Sequence, residues 1–232
     1  MEAELVERRK MKSVINVLRK EWMCFKGSDK GVFGLYLILI LSWSLLLGAG
    51  GQESGIKTGP LWLIFFSVVV AANFSNTVFI SERVTGSLEI LITSGLSRNS
   101  ILYGKMLFVS VMSIVIGAIC LALGVLWSEL IFRTGVSGGY VNSVDFLIYA
   151  CSVFVNVSIS AYLSVRIANP RLIHFASMFI LAVIIFSYMA LSSYLPVSPV
   201  YLILVLLLSG AIFTLLARRE FNSERILQTV IL

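Results

Sequence analysis

Six stretches of about 20 mainly apolar residues recur along this chain, each without a charged residue at its centre. A helix needs about 20 such residues to cross the hydrocarbon core of a bilayer. Because the stretches are apolar on every face and do not alternate as strands of a membrane β-barrel do, they predict helices. We expect an all-α integral membrane protein with six transmembrane helices, at residues 31–50, 60–80, 105–127, 144–165, 172–194 and 199–217.

The composition supports this class and leaves no room for a separate soluble domain of ordinary size. Hydrophobic residues make up 58% of the chain and charged residues only 13%, which is outside the range of soluble domains. We interpret residues 1–30 as a cytoplasmic segment that carries an amphipathic helix, 31–217 as the transmembrane domain and 218–232 as a cytoplasmic tail.

The basic residues predict the orientation in the membrane. With six spans both termini lie on one side, and all but Lys57 and Arg133 of the 18 lysines and arginines fall in segments on that side. The positive-inside rule assigns that side to the cytoplasm. This topology, together with contact with anionic lipid headgroups, explains the formal net charge of +6, so no nucleic-acid partner is expected. We expect a multi-pass protein of the cell (inner or plasma) membrane with both termini in the cytoplasm.

Few residues have the pattern of a catalytic or metal-binding site. Cys24, Cys120 and Cys151 lie in different segments and predict no disulfide, and together with the one histidine, His174, they show no metal-ligand spacing. An intramembrane hydrolase needs a base beside a nucleophile, and His174 has no GxSxG context. An interhelical hydrogen bond is the favoured role for His174, and a pore-lining role stays open. We therefore expect no enzyme activity and no metal or cofactor in this chain.

The chain also shows no energy source of its own. No phosphate-binding loop of the form GxxxxGK[ST] occurs, and no ionisable residue lies near the centre of a predicted span. A transporter built on this chain would need an ATPase from another subunit.

The N-terminal segment predicts an amphipathic helix along the inner leaflet. Lys10, Lys12, Arg19 and Lys20 occupy one surface. The apolar residues at helical spacing on the other surface are Met11, Val14, Leu18, Trp22 and Phe25. A simple basic tail that only directs topology is the alternative, and the Trp and Phe at helical spacing favour the interfacial helix.

A polar segment, SERVTGSLEILITSGLSRNS at 81–100, separates the second and third predicted spans. Thr85 or Ser87 is suited to capping a short helix and Gly95 to ending it, and a second helix start follows at Ser97. One apolar face of the short helix would be formed by Val84, Leu88, Leu91 and Ile92. The pattern predicts a helix that projects into the cytoplasm between two spans.

This segment resembles the one that joins the second and third spans in permease subunits of ABC exporters of the type-2 class, also called type V exporters. The matching positions are Glu82, Gly86, Ser87, Leu88 and Glu89, with Gly104 and Lys105 at the entry to the third span. The six-span plan, the amphipathic N-terminal helix and the basic tail RREFNSERIL at 218–227 extend the resemblance over nearly the whole chain.

The resemblance implies a permease that exports an amphipathic or lipophilic substrate such as a drug, a lipid-linked molecule or a peptide. It implies two cytoplasmic ATPase subunits that hold ATP and Mg, a second permease chain, and a cytoplasmic coupling helix between spans two and three. The coupling-helix residues that would contact the ATPase are Glu82, Arg83, Gly86, Ser87, Leu88, Glu89 and Leu91. A permease like the haem exporter of cytochrome c biogenesis and a passive channel or scaffold are the alternatives.

The chain departs from the family at two places. The coupling helix lacks the Pro that often follows it, and the outer connection SSYLPVSPVY leaves little room for re-entrant helices, although Pro196 and Pro199 would break a helix there. The small residues on the third span suit either contact with a second chain or packing within one chain; they are Ser110, Ser113, Gly117 and Gly124.

Overall fold

The computed structural model describes residues 2–27, 30–49, 60–80, 96–131, 143–167, 169–194 and 198–221. Within these ranges all regular structure is helical and no strand occurs, which confirms the all-α prediction for them. The helices, numbered in chain order, are α1 (Glu2–Lys26), α2 (Lys30–Ala49), α3 (Pro60–Ser75), α4 (Arg98–Leu130), α5 (Ser143–Arg166), α6 (Pro170–Tyr194) and α7 (Pro199–Glu220).

Four of these helices, α4 to α7, are long and apolar enough to cross a membrane. The apolar stretches described in α2 and α3, Tyr36–Gly48 and Leu63–Phe79, are shorter. The described helices are thus compatible with a multi-pass membrane protein, and the count of six spans stays a prediction.

The helix α5 lies at the centre of the bundle. It contacts α3, α4, α6 and α7, and it is the most buried of the four long helices. A first hydrophobic cluster joins α5 mainly to α1, α3 and α4, and a second joins it to α3, α6 and α7. Both clusters therefore depend on α3 and α5.

A polar contact lies between the two clusters, where α3 meets α5. Asn156 donates through Nδ2 to the hydroxyl oxygen of Ser67 over 3.0 Å and to the carbonyl of Ser152 over 3.1 Å. Ser67 in turn donates to the carbonyl of Ile64 over 2.6 Å. Such interhelical hydrogen bonds stabilise helix association in a membrane.

The small residues of α4 pack within the chain. Gly124 lies so close to α2 that a Cβ atom there would stand 3.0 Å from the Cβ of Leu47, and Gly117 lies against the ring of Tyr149 on α5. The Tyr149 hydroxyl donates to the carbonyl of Ser113 over 2.7 Å. Three of the four small residues noted on the predicted third span thus contact α2 or α5 of the same chain.

The helix ends follow local signals as well as apolar runs. Ser97 caps α4 by accepting from the backbone N–H of Ser100, which confirms the start signal predicted there, and the helix begins seven residues before the predicted third span. The difference arises because an apolar run marks the part of a helix inside lipid, whereas the helix itself continues to its cap. Pro199 opens α7 behind the cap residue Ser198.

Candidate functional site

The α-helical part of α3 ends at Ser75, and the helix continues into one further turn that is not α-helical, counted below as the last turn of α3. Residues Asn76–Ile80 form a π-helical turn, in which the Thr77 hydroxyl lies 3.0 Å from the carbonyls of both Asn73 and Phe74. Turns of this kind occur frequently at functional sites. Here the turn presents the carbonyl of Val78 to a side chain of another helix.

That side chain is Lys105 of α4. Its ammonium nitrogen Nζ lies 2.8 Å from the Val78 carbonyl oxygen and 3.0 Å from Oε1 of Glu21 on α1. Lys105 is fully buried and the Glu21 side chain is 4% exposed. We call this contact among Glu21, Val78 and Lys105 the junction, because it joins α1, the end of α3 and α4 at one ammonium group.

The two buried charges of the junction destabilise the fold unless both are present and paired. Taking two charges out of water costs several kcal/mol each, and their mutual attraction offsets this cost only with good geometry and further hydrogen bonds. The Val78 carbonyl supplies one further hydrogen bond, and the Phe79 ring, 6.0 Å from Nζ, lies at the distance of a cation–π contact. Loss of either charged partner would leave the other charge buried without compensation.

The close approach of α1 to α4 depends on a glycine next to Lys105. A Cβ atom at Gly104 would stand 2.8 Å from the Cβ and Cγ1 atoms of Val17 and 3.2 Å from the carbonyl oxygen of Val14. Val17 is 1% exposed and precedes Glu21 by one helical turn on the same face of α1. Gly104 therefore leaves room for Val17, and the adjacent Lys105 binds the carboxylate of Glu21 one turn further along α1.

An aromatic group supports α1 one turn beyond Glu21. The ring centroid of Phe25 lies 5.7 Å from that of Phe74, 6.1 Å from that of Tyr36 and 6.4 Å from that of Phe108. Tyr36 and Phe74 stack with centroids 4.6 Å apart. Rings from α2, α3 and α4 thus hold the C-terminal end of α1 against the bundle.

The junction joins the two described elements on either side of the segment that resembles a coupling helix. The π-helical turn immediately precedes residues 81–95, and α4 follows them from its cap at Ser97. The predicted contact residues themselves lie outside the described part of the chain: Glu82, Arg83, Gly86, Ser87, Leu88, Glu89 and Leu91. Gly104 and Lys105, matched to the same family pattern, lie at the junction.

The five residues predicted to form the membrane-facing stripe of α1 do not share one environment. Val14, Leu18 and Phe25 are partly buried, and the last two pack against the first hydrophobic cluster. Met11 and Trp22 are 61% and 49% exposed. One part of the predicted apolar face therefore packs against the bundle, and the other part is exposed.

Sequence reasoning did not identify Glu21, Val17 or the Val78 carbonyl. A signal for Glu21 exists, because this carboxylate interrupts the face of α1 that also carries Val17 and Phe25. A charge on an apolar face needs a buried partner. No sequence signal pointed to Val78, since its role depends on the π-helical turn.

A second ion pair joins the ends of α5 and α7. Arg166 Nη2 lies 2.8 Å from Glu220 Oε1, and the guanidinium carbon of Arg166 is 5.0 Å from the ring centroid of Tyr162. Arg166 is half-exposed, so this pair is screened by solvent, unlike the junction.

The other residues weighed from the sequence show no shared site. Cys24 is exposed on α1, Cys120 and Cys151 are buried, and all three are unbridged thiols. His174 lies in the N-terminal part of α6. Across the described ranges, no three His, Cys, Asp or Glu side chains are grouped so that they could hold a metal ion.

No known protein family matches the chain, and no curated protein shows significant sequence similarity to it.

Proposed function

We propose that this chain is the permease subunit of an ATP-driven exporter, with residues 81–95 as the coupling helix that contacts a separate ATPase subunit. The complex would contain two permease chains and two ATPase subunits, in a cell membrane that each permease crosses six times with both termini in the cytoplasm. The substrate would be amphipathic or lipophilic. This assignment begins from the sequence resemblance of residues 81–105.

The observation that supports it in the structure is the position of Lys105. Its ammonium group contacts the last turn of α3, which leads into the segment, and it lies on α4, which leads out of it. It also contacts Glu21 of α1. A force on residues 81–95 from an ATPase would thus act on three helices together, because buried, hydrogen-bonded contacts transmit displacement as rigid bodies. A plain connecting loop has no need of such an arrangement.

The deciding experiment is co-purification from the native membrane in mild detergent. The wild-type chain is expected to bring down a phosphate-loop ATPase with measurable ATP hydrolysis, and Glu89→Arg is expected to lose the ATPase or its stimulation by transport substrates. Glu129→Arg is the matched control, since Glu129 is an exposed carboxylate near the opposite end of α4. Repeated absence of an ATPase would refute the exporter and favour a passive channel or scaffold.

A further inference from the structure

The part of α1 that the bundle leaves uncovered has a definite chemical character. Three apolar residues on it, Met11, Ile15 and Trp22, are all exposed. At about 100° per residue they fall within an arc of about 40° around the helix axis. Next to this arc, on the side away from Val17 and Glu21, lie Lys12, Arg19 and Lys26. We call these six residues the outer face of α1.

The three cations of the outer face repeat every seven residues and therefore form a row along the helix. All three are exposed, and none forms an ion pair with another residue of the described ranges. Glu21 is the one carboxylate in the sequence of residues 11–27, and it is buried against Lys105 on another face of α1. The row is thus a concentration of positive charge that the described chain does not neutralise.

The contacts of α1 with apolar helices are those of a helix at a membrane boundary. Phe25, one turn beyond Glu21, packs on Tyr36, Phe74 and Phe108, which belong to apolar helices of the bundle. In a bilayer, a helix held by its end in this way would present Trp22 and its apolar neighbours at the level where hydrocarbon meets headgroups. It would present the lysines and the arginine beside them at the level of phosphate.

We infer that the outer face of α1 binds the headgroups of anionic phospholipids in the inner leaflet. Charge complementarity selects the anionic class, because an unneutralised row of cations attracts such lipids and gains nothing from zwitterionic ones. The apolar arc selects a lipid surface over an acidic protein, since Trp, Met and Ile beside the cations match the boundary between headgroups and acyl chains. The same helix carries Glu21, so lipid bound on one face would hold the carboxylate that the junction needs on the other.

The test uses the full-length chain, purified and delipidated in mild detergent and titrated with dioctanoyl phosphatidylglycerol or dioctanoyl phosphatidylcholine. Bound lipid is counted by native mass spectrometry. The wild type is expected to prefer phosphatidylglycerol, and Lys12→Gln/Arg19→Gln/Lys26→Gln is expected to lose about 100-fold in that preference, from about fivefold per cation. The charge-preserving variant Lys12→Arg/Arg19→Lys/Lys26→Arg is expected to bind as the wild type does.

The control for net charge is Arg171→Gln/Arg218→Gln/Arg219→Gln, which removes three exposed cations from α6 and α7. It is expected to keep most of the preference. The inference is overturned if the α1 variant binds phosphatidylglycerol as the wild type does, or if both triple variants lose affinity equally. Loss of ATPase co-purification by the α1 variant with unchanged lipid binding would overturn it in favour of an acidic protein partner. Because the lipid titration needs no ATPase, its result is independent of the proposed export function.

Discussion

Asn156 on α5 donates a hydrogen bond from Nδ2 to the hydroxyl oxygen of Ser67 on α3, over 3.0 Å, between the two hydrophobic clusters. Its other amide atom, Oδ1, is buried and has no hydrogen-bond partner in the described part of the chain. The hydrogen bond from Asn156 to Ser67 stabilises the contact between the two helices. The buried Oδ1 atom without a partner destabilises the fold.

Replacement of Asn156 by Val is expected to change stability by no more than about 1 kcal/mol. The interhelical bond is worth about 0.6 kcal/mol on average in membrane bundles, and removal of an unpartnered buried oxygen offsets that loss. Ser67 keeps its bond to the Ile64 carbonyl. Asn156→Asp, which adds a charge at nearly constant size, should destabilise by about 3 kcal/mol. Unfolding in detergent followed by circular dichroism measures both, and a large loss in the Val variant would contradict this account.

The junction should show strong coupling between its two charges. Glu21→Met or Lys105→Met alone is expected to destabilise the protein by about 3–5 kcal/mol, because each leaves one buried charge without its partner. The double variant is expected to recover most of that loss, since an apolar pair replaces an ion pair of similar volume.

A double-mutant cycle of unfolding free energies measures this coupling. Lys20→Met is the control: Lys20 is about one-third exposed and lies 3.3 Å from the same oxygen of Glu21, so its loss should have a small effect. Additive losses in the two single variants and the double variant would show that Glu21 and Lys105 do not stabilise one another.

A methyl group at Gly104 should separate α1 from α4. Gly104→Ala places a carbon within contact of the Val17 side chain and the Val14 carbonyl, and overpacking of this kind costs about 1–3 kcal/mol. Val17→Ala in the same chain should restore part of the loss by removing the facing methyl groups. Limited proteolysis of α1, compared with thermal unfolding, measures both effects.

Gly34→Ala is the matched control for Gly104→Ala. Gly34 lies on α2 with nothing within 4 Å of an added Cβ, so alanine there should stabilise the helix by up to about 1 kcal/mol. Equal destabilisation at both positions would mean that close packing at Gly104 is not the cause.

The exposed thiol of Cys24 offers a test of the predicted orientation. A membrane-impermeant maleimide should label Cys24 in inside-out vesicles and leave it unlabelled in right-side-out vesicles, because the N-terminal segment is assigned to the cytoplasm. Cys120 and Cys151 are buried and should stay unlabelled in both preparations. The variant Cys24→Ser serves as the blank, and labelling of Cys24 from the outside would reverse the topology.

The helices could be predicted from the sequence because their signals are local. The apolar runs at 144–165, 172–194 and 199–217 match α5, α6 and α7 within a few residues, and Ser97 marked the start of α4. The length of an apolar run and the presence of a capping residue depend only on residues that are close together in the sequence. They can therefore be recognised without the folded structure.

The junction could not be predicted in the same way. Lys105 stood at the edge of an apolar run, where a lysine ordinarily reaches toward lipid headgroups, and only the packing of α1 shows that it is buried. The helical spacing of the apolar residues on α1 was visible in the sequence. The spacing does not show which of these residues pack against the other helices and which stay exposed. The packed face includes Val17 because Gly104 has no side chain opposite it, and this close contact is visible only in the structure.

The central helix α5 is the least apolar of the four long helices, with Ser152, Asn156 and Ser160 all buried within the bundle. A chain is synthesised from its N-terminus, so α3 and α4 leave the ribosome before α5 does. Ser67 is thus present before Asn156 requires a partner. The buried amide of the most polar long helix therefore has a partner that is made earlier in the chain, whereas α6 and α7, which also pack on α5, are made after it.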